Sequence, residues 1–245
     1  MQSTFPTAET SPQLYARSAG MLYLVLILAG LFSVVFVREK LIVSGDPAAT
    51  AANIVAQPQL WRAGIAADLL MHVFDIPTML VIYSLLRPVH KNLALLVLLF
   101  NLVQTCVLVA NKLNLIAALL PLQGAAYLRA VEANILYAQV YLSLQLHDYG
   151  FGVGLIFFGF VCLGEGYLIF TSGFLPKTIG VLMAVAGFCY LLNSSALLLA
   201  PGLEKILFPF IMVPCLVAEL SFSLWLLVKG VNVQKWQEVK KRMPV

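Results

Sequence analysis

Long uncharged runs separated by short polar breaks dominate the chain. Twenty uncharged residues lie between Arg17 and Arg38, twenty more run from Asn92 to Asn111, and another run extends from Thr178 to Leu203. A bilayer crossing needs about 20 apolar residues, so each run predicts a transmembrane helix. The stretch Arg62–Arg87, the run ending near Phe170 and the run from Lys205 to Lys229 complete six firm spans. The stretch 128–146 reads differently. Leu128, Val131, Ile135, Leu142 and Leu146 recur at helical spacing opposite Glu132, Gln139 and Ser143, which predicts an amphipathic helix at the interface or a polar-lined seventh span. His147-Asp148-Tyr149-Gly150 reads as a turn after it. The fold class is thus an all-α polytopic integral membrane bundle.

The breaks carry their own signals. Asp46 followed by Pro47 predicts an N-capped short helix outside the core. Trp61 suits an interfacial start to span two. Ser172-Gly-Phe-Leu-Pro176-Lys177 is a compact link, and Pro209 and Pro214 fall within span six. The chain divides into a polar tail (1–16), one membrane domain (17–232) and a basic tail (233–245). Residues 1–15 lack the basic start and small-residue cleavage site of a signal peptide, so span one is expected to be retained.

Composition agrees: 61% of the residues are hydrophobic and only 11% charged, against about 25% charged in soluble domains. The net charge of +4 is no nucleic-acid signal, because five of fifteen basic residues sit together as Lys229, Lys235, Lys240, Lys241 and Arg242. They read as a cytoplasmic anchor. Six spans with both termini inside put nine basic residues inside and six outside; seven spans give eleven and four. The C-terminus is cytoplasmic in either case, the membrane expected is a bacterial inner membrane, and the N-terminal side stays open. Cys106, Cys162, Cys189 and Cys215 form no CxxC pair and read as small buried apolar groups.

The chemistry concentrates in span two. Asp68, His72 and Asp75 follow i, i+4, i+7 spacing, which holds them within about 60° of one helix face. Ionisable groups at that depth cost several kcal/mol unless they face protein or trapped water, so they are expected to point inward. Pro77 cannot donate to the carbonyl of Val73 and predicts a kink beside Asp75. Asn101 and Gln104 belong to a polar stripe on span three with Thr105, Asn111 and Lys112, and Glu219 lies mid-span in span six. The candidate ligand- or ion-binding set is therefore Asp68, His72, Asp75, Asn101, Gln104 and Glu219. Lys112 could neutralise Asp68, but its place at a span end favours snorkelling to headgroups. Glu165, near a span end, ranks below Glu219.

Several classes lose ground. Three histidines in the chain, one of them (His90) in a loop, do not assemble a metal set, and no metal is assigned. No cofactor is named by the sequence: a bis-histidine haem would rest on His72 and His147 alone. No GxSxG or phosphate-binding loop occurs, and catalytic residues are left unassigned. The bilayer is the partner expected, with a small solute or ion at the polar site; the oligomeric state is left open. Three functions compete: binding or translocation of that solute or ion, a membrane-embedded enzyme on a lipid or apolar substrate, and a structural or regulatory membrane protein.

Six segments occur together in order: Gly45-Asp46-Pro-Ala-Ala-Thr-Ala-Ala-Asn53, Ala67-Asp68-Leu, Lys91-Asn-Leu-Ala-Leu-Leu, Leu146-His147 with Tyr149-Gly150, Ser172-Gly-Phe-Leu-Pro176-Lys177, and Leu226-Leu-Val-Lys229-Gly. On these the chain resembles, from Arg17 to Asn232, the bacterial multispanning membrane proteins grouped as domain-of-unknown-function family 4386. The resemblance implies one integral membrane domain and no particular reaction. Glu165 stands where the family pattern has an aliphatic residue, so it is set aside as a family-wide site.

Overall fold

A computed structural model describes residues 11–124, 126, 129–208 and 210–242. It is 87% helical, with no strand among the described residues. Helix α1 (Pro12–Leu31) runs into a seven-residue π-helix (Phe32–Arg38) and the single turn α2 (Glu39–Leu41). Next come α3 (Pro47–Ala56), α4 (Pro58–Leu86) and α5 (Lys91–Leu119), which ends in a 3-10 turn (Leu120–Gln123). Then follow α6 (Ala133–Ser172), α7 (Lys177–Leu199), α8 (Pro201–Leu207), α9 (Met212–Val228) and α10 (Val233–Lys241).

Among the described residues, five helical segments are long and apolar enough to cross a membrane: Pro12–Leu41, Pro58–Leu86, Lys91–Gln123, Ala133–Ser172 and Lys177–Leu199. The pair Met212–Val228 and Val233–Lys241, bent by 99°, makes a sixth if counted as one span. The outward-facing residues are apolar, as lipid contact requires. Phe36, Val73, Leu113, Phe188 and Val228 are each more than half exposed. The chain is a polytopic membrane protein.

The helix expected over 128–146 is present from Ala133, but it is not a separate element, and the turn expected after it is absent. Leu128 lies outside the described residues, and helix begins at Ala133 and continues without a break through His147–Gly150 to Ser172. Forty residues at 1.5 Å each make about 60 Å, twice the hydrocarbon thickness. Gly150 therefore serves packing and not chain reversal: a Cβ there would collide with the Asn111 side chain. Asn111 Nδ2 also donates to the carbonyl of His147 at 2.8 Å. Pro209 of the expected span six lies outside the described residues, and helix resumes only at Met212.

The contacts fall into two compact units. Unit one comprises Met1–Val25, Phe74–Thr105 and Gly152–Val245; unit two comprises Leu26–Val73 and Cys106–Phe151. In unit two, Val37, Leu41, Ile54, Trp61, Leu115 and Val140 form an apolar core. Trp61 is buried in it, with its indole Nε1 donating to the Leu115 carbonyl at 3.1 Å, and does not mark an exposed interface. The cap at α3 is as expected: Asp46 accepts from the Ala49 amide at 2.9 Å with Pro47 at the first turn.

In unit one, α6 and α7 meet glycine on glycine. Gly166 faces Gly180, and Gly159 faces Gly187, the two pairs standing seven positions apart on each helix. A Cβ at Gly166 would sit 2.7 Å from the Gly180 carbonyl oxygen, and one at Gly187 2.7 Å from that of Gly159. Small residues let helix backbones approach where apolar lipid supplies no hydrophobic drive. The basic C-terminal segment is anchored here. Trp236 is buried and its Nε1 donates to the Leu85 carbonyl at 2.9 Å, while Asn232 caps α10 through Lys235. Cys162 and Cys215 are buried, but Cys106 is exposed, on an outward face of α5.

Gly166→Ala must force backbone apart, since the colliding atom is a carbonyl. A loss of about 1–3 kcal/mol is expected, read as a lower thermal unfolding midpoint in detergent. Gly202→Ala, where a Cβ meets open space, should leave the midpoint unchanged.

Candidate functional site

The six sequence-predicted residues fall into two groups, each inside one unit. Asp68 and His72 belong to unit two; Asp75, Asn101, Gln104 and Glu219 belong to unit one. The unit boundary falls after Val73 on α4, the residue whose carbonyl Pro77 cannot reach as a donor.

In unit two, Asp68 is 1% exposed and its Oδ2 receives two cations. Arg38 donates from a terminal guanidinium nitrogen at 2.6 Å, and the Lys112 ammonium lies at 3.1 Å. Lys112 is 2% exposed, so the lysine that its span-end position assigns to headgroups is instead a buried counter-ion. Asp68 could hold it there because an unpaired charge in apolar surroundings costs more than desolvating an ion pair. His72, one turn beyond Asp68, is 2% exposed, and its Nε2 has no hydrogen-bond partner. His147 on α6 is 3% exposed with its Nε2 likewise unmet, and its Nδ1 lies 3.6 Å from the exposed Asp148. Arg38 ends the π-helix, where Ser33 donates to the Gly64 carbonyl at 2.6 Å. π-Helical turns are rare and concentrate at functional sites.

In unit one, Asp75 is partly buried. Its Oδ2 accepts from Asn101 Nδ2 at 3.0 Å and from the Thr105 hydroxyl in a short hydrogen bond. The i, i+4 spacing of Asn101 and Thr105 on α5 is what lets both reach one oxygen. Asn101 and Gln104 are buried, and the side-chain carbonyl oxygen of each has no donor. Glu219 on α9 accepts from Tyr23 at 3.2 Å on Oε2 and from Tyr190 in a short bond on Oε1. Glu165 is only 1% exposed, and its Oε1 is unmet, so this α6 carboxyl does not reach water from a span end. It lies within electrostatic range of both Asp75 and Glu219. Among the described residues no arginine or lysine pairs with these three carboxyls. Three His, Cys, Asp or Glu side chains close enough to hold a metal ion are not found among the described residues.

The chain matches the family model described as "Domain of unknown function (DUF4386)" over residues 18–230. It belongs to the DUF4386 family. An uncharacterised protein of Archaeoglobus fulgidus is similar to it, 25% identical over 171 residues, which cover 68% of this chain and 83% of the relative. No solved structure matches the chain. In this DUF4386 member, sequence reasoning finds Asp68, His72 and Asp75 from the cost of intramembrane charge. It misses Arg38 and Glu165 as buried participants, and it passes over Tyr23 and Tyr190. For Arg38 the sequence offers only its place at the end of span one, with α2 and α3 between it and the span that bears Asp68.

Asp68→Asn leaves Arg38 and Lys112 without their shared carboxylate. Breaking a buried ion pair this way costs about 3–5 kcal/mol, discounted toward the lower figure because Arg38 is 15% exposed. The expected readout is a drop in the detergent unfolding midpoint larger than that of Asp148→Asn, whose carboxylate is exposed.

Proposed function

We propose that this DUF4386 protein binds a small cation or proton in unit one and passes it across the membrane, with Asp75, Glu165 and Glu219 as groups that couple to it one at a time. One observation carries the reading. The buried oxygens Asn101 Oδ1, Gln104 Oε1 and Glu165 Oε1 have no donor in the protein, although each unmet acceptor in hydrocarbon costs about 1–3 kcal/mol. A set of oxygens that lacks donors is the complement of a hard cation or a proton. The amide, hydroxyl and carboxyl oxygens near Asp75 suit such a guest better than a transition metal. Glu219 favours a structural alternative, since both its oxygens are met by tyrosine hydroxyls.

Proteoliposomes with a pH-sensitive dye inside separate these readings. Under an imposed sodium or proton gradient the wild type should move protons or cations, and Asp75→Asn should reduce the flux at least about tenfold while keeping the unfolding free energy within about 1 kcal/mol. Equal flux in both proteins removes Asp75 from the path. A protein that carries no ion, and in which Asp75→Asn unfolds, follows the structural alternative.

The cluster Lys235, Lys240, Lys241 and Arg242 on α10 supports a cytoplasmic C-terminus through the positive-inside bias. In a variant whose native cysteines are replaced, Arg242→Cys should react with a membrane-impermeant maleimide only after the cells are permeabilised.

A further inference from the structure

The charge balance of unit two is opposite to that of unit one. Arg38 and Lys112 share one oxygen of one carboxylate, so the buried cluster carries one cation more than it can neutralise. The other acidic side chains of this unit, Glu39, Asp46, Glu132 and Asp148, are all exposed. Two buried imidazoles adjoin the cluster, each with Nε2 unmet. His72 is on the Asp68 face of α4, and His147, whose carbonyl accepts from Asn111, lies within electrostatic range of Lys112 and Arg38. The neutral imidazole of His72 can present an N–H at Nε2; His147 turns Nδ1 toward the Asp148 carboxylate, which leaves its Nε2 an acceptor when the ring is neutral. The cluster is thus rich in donors and positive charge, with a single acceptor carboxylate already engaged twice.

We propose that Arg38, Lys112 and His72 form a binding site for a small oxyanion of the carboxylate or phosphate type, which Asp68 partly fills as a built-in counter-ion. The guanidinium fork is the natural reader of a two-oxygen anion. Arg38 is also the member with exposed surface, at 15%, whereas Asp68 and Lys112 are sealed. An arriving anion meets Arg38 first and completes the neutralisation that one carboxylate leaves unfinished. The site is distinct from the donor-poor oxygens proposed for cations, and it stands or falls independently of that reading.

The test uses the purified full-length protein in neutral detergent. The unfolding midpoint is titrated with sodium phosphate and with sodium acetate against sodium chloride at matched ionic strength. A parallel arm uses nanodiscs of phosphatidylcholine with or without phosphatidic acid, to tell a free anion from a lipid headgroup. The wild type should show a saturable rise in one arm. Arg38→Gln, which keeps the Lys112–Asp68 pair, should weaken that response at least about tenfold. In Asp68→Asn the same anion should bind more tightly and restore part of the lost stability, because it takes the place of the missing carboxylate. A purely structural ion pair predicts no such rescue. Equal responses of wild type and Arg38→Gln in both arms, or no response in either, overturn the proposal; that comparison decides even if Asp68→Asn does not fold.

Discussion

The hydrocarbon interior offers no water, so every polar group that enters it must be met by the protein or by a guest. In this chain that constraint acts on a small number of side chains and leads to two opposite solutions. Unit two meets its carboxylate with two cations on one oxygen. Unit one meets its carboxyls with neutral donors, an amide and a threonine hydroxyl for Asp75 and two tyrosine hydroxyls for Glu219. What remains unmet differs accordingly: imidazole nitrogens in the first case, and amide, carboxyl and serine hydroxyl oxygens in the second.

The packing around these groups is built to hold them without large apolar side chains in the way. Glycines at seven-residue spacing bring α6 and α7 into backbone contact, so the helix that carries Glu165 has little freedom to shift. In unit two the π-helix serves a related end. Its wider turn changes the register of the first span just before Arg38, and register decides which face a terminal charge occupies.

The cavities are correspondingly tight. One of about 10 Å³, room for a single water, is lined by Met79, Ile82, Leu86, Val97 and Leu168 in unit one.

Membrane residence, helical content and the inward-facing acids were all legible in the sequence, because each follows from a transfer cost that one residue pays alone. Twenty uncharged residues announce a span wherever it packs, and Asp68 or Asp75 in a span demands a partner before the partner is known. Partner choice was another matter. Lys112 near a span end could equally serve headgroups or Asp68, and only the position of α5 against α4 within unit two made it a counter-ion. Arg38 depended on a π-helical register that no periodicity reveals. Glu165 looked close enough to a span end to reach water until α6 proved to be one helix of forty residues. His147–Gly150 read as a turn because glycine and aspartate favour one locally; tertiary packing against Asn111 overrode that preference. Burial costs are properties of single residues and survive in the sequence, whereas pairing is a property of two helices and exists only once they meet.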